Sequence, residues 1–240
     1  MVSASPSEIE SFLSTRRIND RSKYQWISNL SGFYEWCHRT QGVPALNPTE
    51  PIDRPRLRRL LPRPISEGDL ELAMRSADRR MYLWLVLGAF AGFRCCEIAW
   101  LTVDSFMWHE GLMNVFGKGG KERIVEMHPL VVDALRTFPL PAFGVAFRGR
   151  DGAALSPRRV SNDIGNFFTD IGVNATAHQL RHRFGTKTYA ACKDLRVVQE
   201  LLGHANPSTT AVYTAFARDD ARAAVLALPL PTPIDNDEAA

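Results

Sequence analysis

The spacing of hydrophobic positions changes twice along this chain. Between residues 20 and 39, Tyr24, Ile27, Leu30, Phe33, Tyr34 and Cys37 fall near helical spacing and predict a long amphipathic helix. A shorter helix over 7–14 precedes it, with Ser7 as its N-cap, and Gly42 and Pro44 end the longer one. Residues 47–64 carry Pro48, Pro51, Pro55, Pro62 and Pro64, a density that no regular element survives, so they read as a linker. Ser66, with Asp69 three residues on, caps the next helix, and further helices follow over 79–92 and 94–101. From 103 to 127 the period shortens. Residues 103–108, 112–116 and 123–127 read as three short strands, with turns at Glu110-Gly111 and over 117–121. Helical spacing returns over 129–137, 156–171, 178–191, 194–202, 206–215 and 218–227. Pro229, Pro231 and Pro233 then open a polar tail expected to be disordered.

The result is a mainly α fold with a small three-stranded antiparallel sheet. Four regions follow: a short helical region (1–46), a linker (47–64), a larger helix-rich domain (65–228) and a tail (229–240). Doubly wound nucleotide-binding folds need alternating strands and helices, and this pattern disfavours them. Gly117-Lys118-Gly119-Gly120-Lys121 is a turn between strands rather than a phosphate loop opening a helix, so neither ATP nor NAD is indicated. The longest apolar stretch, 81–93, is too short to span a bilayer and reads as a buried core helix. The first ten residues lack the basic and apolar regions of a secretory signal.

Composition narrows this further. With 45% hydrophobic and 23% charged residues, global disorder is excluded. The net charge of +3 says little, but its distribution says more. Arg54, Arg56, Arg58, Arg59 and Arg63 crowd the linker, which suits either phosphate contact or a solvated connection. Cys37, Cys95, Cys96 and Cys192 stand at no metal-like spacing; Cys95 and Cys96 read as buried thiols, and a reducing cytoplasm fits.

Several polar groups sit where an apolar pattern should have excluded them. Arg94 follows Ala89-Phe90-Ala91-Gly92-Phe93, where an unpaired guanidinium would be costly, and Glu97 stands three residues later as its partner. Alone, this is a structural ion pair. His178 and Arg181 are also three apart, His204 follows a helix-capping glycine, and Tyr213 lies nine beyond it. Each has an ordinary reading as cap, surface or core, as Tyr82 and Tyr189 do. Together they form a set suited to one reaction. Guanidiniums and imidazoles donate to the non-bridging oxygens of a phosphodiester, a tyrosine can attack phosphorus, and a lysine can protonate a leaving oxygen. No carboxylate or Cys/His cluster provides for a catalytic metal, so the set implies metal-independent phosphoryl transfer.

The motifs AGFRCCEIAWLTVDSF, VFGKGGKERIVEMHP, HQLRHRFGT and LLGHANPSTTAVYT occur in that order. Lys118 stands 24 residues after Arg94, His204 23 after Arg181, and Tyr213 nine after His204. In these features, over residues 20–217, the chain resembles the tyrosine recombinases, or phage integrase family, with a Xer-like catalytic domain. The resemblance implies that Arg94 and Arg181 clamp the scissile phosphate and that Glu97 orients Arg94. It makes Lys118 the proton donor to the leaving 5′-hydroxyl, with Lys121 as runner-up or DNA contact. His178 would give acid–base support, His204 would hydrogen-bond the phosphate, and Tyr213 would form a 3′-phosphotyrosyl link. No cofactor is implied. The implied partners are double-stranded DNA core sites, further copies of the chain in a tetramer on two sites with a dimer on each, and an accessory or directionality protein. Arg54, Arg56, Arg58, Arg59 and Arg183 would contact DNA. His182 reads as a phosphate contact or surface residue, His128 as a helix cap and His109 as a solvated turn residue.

Compared with the family, about 60 residues precede Pro64 where a four-helix core-binding domain is usual, so its first two helices would be missing. Residues 219–228 would be the terminal helix that docks on a neighbouring subunit. Two other readings stand beside recombination: a type IB topoisomerase, and a non-catalytic DNA-binding regulator derived from a recombinase. A metal-dependent nuclease is a weaker third.

Overall fold

The computed structural model describes residues 4–41, 47–57, 61–117, 120, 122–203 and 207–210. The chain divides into two compact units, Met1–Leu60 and Leu61–Ala240.

The first unit holds helices α1 (Pro6–Ser14) and α2 (Asp20–Gln41). The cap of α1 is Ser5 rather than Ser7. Ser5 precedes a proline at the first helical position, its Oγ accepts from the Glu8 amide at 3.3 Å, and its own amide donates to Glu8 Oε2 at 2.7 Å. That reciprocal box, with proline where a lost N–H matters least, outcompetes a serine two residues later. Ile9, Leu13, Ile27, Tyr34 and Ile52 form the core of this unit. Ile52 therefore belongs to a segment expected to be linker. Asn47 explains why: its Nδ2 donates to Ser31 Oγ at 3.1 Å and its Oδ1 accepts from the Thr49 hydroxyl at 2.8 Å. The chain after α2 thus folds back onto it. At the far end Ile65 is buried in the second unit, its amide donating to the Gln179 carbonyl at 3.2 Å, so the connection is shorter than the proline run. Gly42, Pro44, Arg58 and Arg59 lie outside the described residues.

The second unit contains α3 (Glu67–Ser76), α4 (Arg79–Phe90), α5 (Cys95–Trp100), a sheet β1 (Phe106–Met107), β2 (Leu112–Phe116), β3 (Glu122–Glu126), then α6 (Pro129–Thr137), α7 (Pro157–Asp170), α8 (Ala177–Cys192), α9 (Leu195–Leu202) and α10 (Pro207–Thr210). The sheet is antiparallel in the order β1-β2-β3, with Met113 opposite Val125 and Val115 opposite Arg123. The mainly helical fold with its three-stranded sheet agrees with the sequence. The first strand is shorter than expected. Residues Val103–Ser105 form a 3-10 turn, held by the Thr102 and Ser105 hydroxyls at 3.1 Å and by the Val103 amide on the Gly144 carbonyl at 2.9 Å. Such local side-chain bonds compete with strand pairing.

Helix α4 is the central element. Residues Leu83 to Ala89 are all buried, which suits its unbroken apolar run. Gly88 lets α8 come close, since a Cβ there would stand 3.0 Å from Leu180 Cβ. Around α4 pack Phe93, Ile98, Met113, Val115, Phe147, Ile164 and Phe168. Ser66 caps α3, its Oγ accepting from the Asp69 amide at 3.0 Å, and His128 caps α6 through Nδ1 on the Leu130 amide at 3.2 Å. Tyr82 and Tyr189 are partly buried against core residues, and His109 is exposed in the turn before β2. Cys95 and Cys96 are half-buried and unbridged rather than buried; burial still pushes the Cys95 thiol up. No helix among the described residues is long and apolar enough to cross a membrane. The expected helix over 206–215 is described only as Pro207–Thr210, and that over 218–227 lies outside the described residues.

Candidate active site

The site is built where α4 ends. The Phe93 amide bonds the Leu87 carbonyl at 3.1 Å, and Gly92 takes a left-handed φ of +69°. This turn delivers Arg94 as the N-cap of α5, one residue outside the helix expected to contain it. The Glu97 carboxylate then reaches back: Oε2 accepts the Arg94 amide at 2.8 Å and Oε1 accepts Arg94 Nη1 at 2.8 Å. One short motif therefore caps the helix and pairs the arginine together.

Arg181 arrives from α8, three residues after His178. It is 2% exposed, one of the largest fully buried side chains described. Its Nη1 donates to the Gly92 carbonyl and its Nη2 to the Leu202 carbonyl at the end of α9, while Nη1 stands 3.6 Å from Glu97 Oε2. Glu97 is thus shared by Arg94 and Arg181, and a third guanidinium, Arg123 from β3, joins them. Arg123 Nη1 lies 2.8 Å from Oε1 and Nη2 3.0 Å from Oε2. Burial alone would raise the Glu97 carboxyl. The hydrogen bonds and charge of Arg123, with the Arg181 charge and the Arg94 amide, outweigh burial and hold it below the ordinary value.

His178 and His182 follow on the same face of α8, one turn apart, their rings edge to face with centroids 4.4 Å apart. Desolvation and then the charges of Arg181 and Arg94 lower the His178 imidazole, although much of its side chain stays open to solvent. Burial, His178 and Arg181 lower His182 to about 4. A histidine whose folded value lies below its unfolded value of about 6.5 favours the unfolded chain once protonated. The stability tied to neutral His182 is present above that value and is lost as pH falls from about 6.5 to about 4. His182→Asn should therefore flatten the fall in thermal midpoint over that window. An unchanged slope in melting curves taken across it would refute this.

The other expected residues separate. Arg183 does not offer a free cation: Nε and Nη2 pair with Glu67 at 3.1 and 2.8 Å, Nη1 donates to the Ala89 carbonyl, and the guanidinium lies over the Phe90 ring. Its fork is thus engaged within the fold, on Glu67 and the Ala89 carbonyl. Arg54, Arg56 and Arg63 are exposed. Lys118, Lys121, His204 and Tyr213 lie outside the described residues. The residue that sequence reasoning misses is Arg123. Its signal is strand alternation, because Val125 faces the core and Arg123, two residues earlier, shares that face.

Residues 66–219 match the phage integrase family. The chain is 34% identical over 216 residues to the tyrosine recombinase XerD of Pseudomonas aeruginosa, covering 82% of this chain and 72% of that protein. It is 32% identical to the solved integrase from mycobacterium phage Brujita, covering 92% of this chain and 76% of that one, with a TM-score of 0.56. The XerH site-specific recombinase, solved in a post-cleavage complex with palindromic difH substrate, shares the fold at 21% identity and a TM-score of 0.72, over 92% of this chain and 72% of that one. The chain therefore belongs to the phage integrase family, and so to the tyrosine-type site-specific recombinases.

Proposed function

We propose that the chain cleaves and rejoins double-stranded DNA at specific core sites through a 3′-phosphotyrosyl intermediate, without ATP or a metal. It would act as a tetramer on two sites, in the cytoplasm, in the integration or excision of a phage or mobile element. The observation that carries the chemistry is the convergence of Arg94 and Arg181 on one buried carboxylate, Glu97. Two guanidiniums held this way suit the non-bridging oxygens of a phosphodiester, whose charge grows in the transition state.

The Tyr213 oxygen attacks phosphorus while the bond to the 5′-oxygen breaks. Unperturbed, this phenol titrates near about 10, so its proton must be removed at neutral pH. His178, its imidazole held below the ordinary value, is in the neutral form that a proton acceptor needs. Lys118 gives a proton to the departing 5′-oxygen, and His204 hydrogen-bonds the phosphate. The ester bond is conserved in the link to tyrosine, so a 5′-hydroxyl from a second duplex can reverse the step. Likeness to a phage integrase supports the mobile-element role. Arg54 and Arg56, exposed near the end of the first unit, suit backbone contacts, and Arg58, Arg59 and Lys121 would add to them.

The test is covalent capture. The protein is incubated in EDTA with nicked duplexes drawn from the DNA flanking its own gene, then denatured, and protein-bound strands are sequenced. A 3′-linked adduct at one position, lost in Tyr213→Phe while binding survives, is expected. Binding without any adduct would favour a regulator, and relaxation of supercoils without strand exchange a topoisomerase.

A further inference from the structure

Arg123 takes no part in the chemistry proposed above, yet it engages Glu97 more fully than either proposed phosphate ligand. Its two terminal nitrogens cover both carboxylate oxygens at 2.8 and 3.0 Å, and its Nε donates to the Leu201 carbonyl at 2.9 Å. The side chain is 10% exposed and lies over the Phe93 ring. Arg94, by contrast, gives Glu97 one side-chain bond, and Arg181 stands at 3.6 Å. A planar fork on both oxygens fixes the carboxylate in place while its remaining lone pairs meet other neighbours. Without that fork, a buried anion would draw the two remaining guanidiniums onto itself, because an uncompensated buried charge is expensive.

We infer that Arg123 is a positioning residue: it braces both oxygens of Glu97 and so keeps that buried carboxylate from drawing Arg94 and Arg181 out of the positions they hold around it. The inference rests on the recombinase reading above. Its bond to Leu201 also fixes the end of α9, three residues before His204 in sequence, and its strand follows the stretch of sequence that carries Lys118 and Lys121. One side chain thereby joins the hairpin, the carboxylate and the last turn of α9.

The test is a mutant cycle of Arg123→Gln, Glu97→Gln and the double variant, with Arg123→Lys beside them. Three readouts are taken: thermal midpoint, affinity for the duplex recovered by covalent capture, and single-turnover adduct formation on it. Arg123→Gln should lower the midpoint and slow adduct formation about 10²-fold, as small displacements of positioned groups do, with affinity little changed. Adding Glu97→Gln should restore part of both losses, because the unpaired anion is gone. Arg123→Lys should fall between. A wild-type rate in Arg123→Gln, or losses in the double variant that merely add, would overturn the inference. If Arg123→Gln does not fold, recovery of folded protein on adding Glu97→Gln supports the pairing, and failure to recover overturns it. Should the wild-type protein form no adduct, the recombinase reading fails, and the melting cycle alone still decides whether Arg123 compensates Glu97.

Discussion

Arg181→Ala is expected to suffer two large losses, and Arg94→Ala only one of them. Arg181 is buried, with its guanidinium on the Gly92 and Leu202 carbonyls and near Glu97. Its removal strands two carbonyls and weakens the compensation of a buried carboxylate. Breaking a buried pair of this kind costs about 3–5 kcal/mol. Arg94 is about a third exposed, and its side chain makes one bond to Glu97. Its loss removes a hydrogen bond worth about 1 kcal/mol net, and Arg123 remains to hold the carboxylate. On the proposed chemistry, both substitutions remove a donor to the growing phosphate charge and should each slow adduct formation by at least about 10²–10³-fold. Denaturant unfolding together with single-turnover cleavage separates the effects. Equal destabilisation by the two substitutions, or cleavage within about tenfold of wild type by either, would contradict the assignment. Arg181→Lys sharpens the comparison, since it keeps the charge but cannot reach both carbonyls with a planar fork.

Much of this arrangement is legible in the amino-acid sequence, and the reasons are local. The Arg94–Glu97 pair can be read because a charge in an apolar run needs a nearby partner, and the spacing of three supplies one. Ser66, with Asp69 three residues on, and His128, directly before Pro129, mark helix starts from neighbouring residues alone. The strands over 112–116 and 123–127 follow from turn residues and alternation, the second displaced by one residue. What is not legible depends on weighing several signals at once or on distant contacts. Ser5 outcompetes Ser7 only when proline geometry and Glu8 are weighed together. The fold-back of 47–52 depends on Asn47 reaching Ser31, sixteen residues away, which no local pattern encodes. Arg123 belongs to the same class. In the run Glu-Arg-Ile-Val-Glu, composition suggests Ile124 as the inward residue, but pairing in the sheet turns Ile124 outward, 59% exposed, and Arg123 inward. A one-residue choice of register decides whether the site has two guanidiniums or three. Arg183 shows the converse. Its motif suggests a DNA contact and gives no sign of its pairing with a glutamate 116 residues earlier.

Gly92→Ala should test the backbone on which the site is hung. Gly92 adopts φ +69°, where an L side chain is strained by about 1–3 kcal/mol. There is also no room. A Cβ would stand 2.5 Å from Phe184 Cδ1, 2.9 Å from its Cε1 and 3.1 Å from Leu202 Cδ2. Overpacking of this kind adds about 1–3 kcal/mol, so a total loss of about 2–6 kcal/mol is expected. Gly152→Ala is the matched control. It shares a positive φ, +79°, but meets nothing within 4 Å, so only the strain remains. The difference between the two in denaturant unfolding therefore measures the clash. The functional consequence follows from the same atoms. The Gly92 carbonyl accepts from Arg181, and Leu202, which the new methyl would press, supplies the other carbonyl. Relief of the clash must move α8 or α9 away from the end of α4. Either movement shifts Arg181 relative to Arg94, and displacement of about 1 Å at a positioned group can cost about 10²-fold in rate. Gly92→Ala should thus cleave slowly even at a temperature where it is fully folded, while Gly152→Ala should cleave at the wild-type rate. A folded Gly92→Ala protein with unchanged single-turnover cleavage would show that the two arginines are placed independently of this turn.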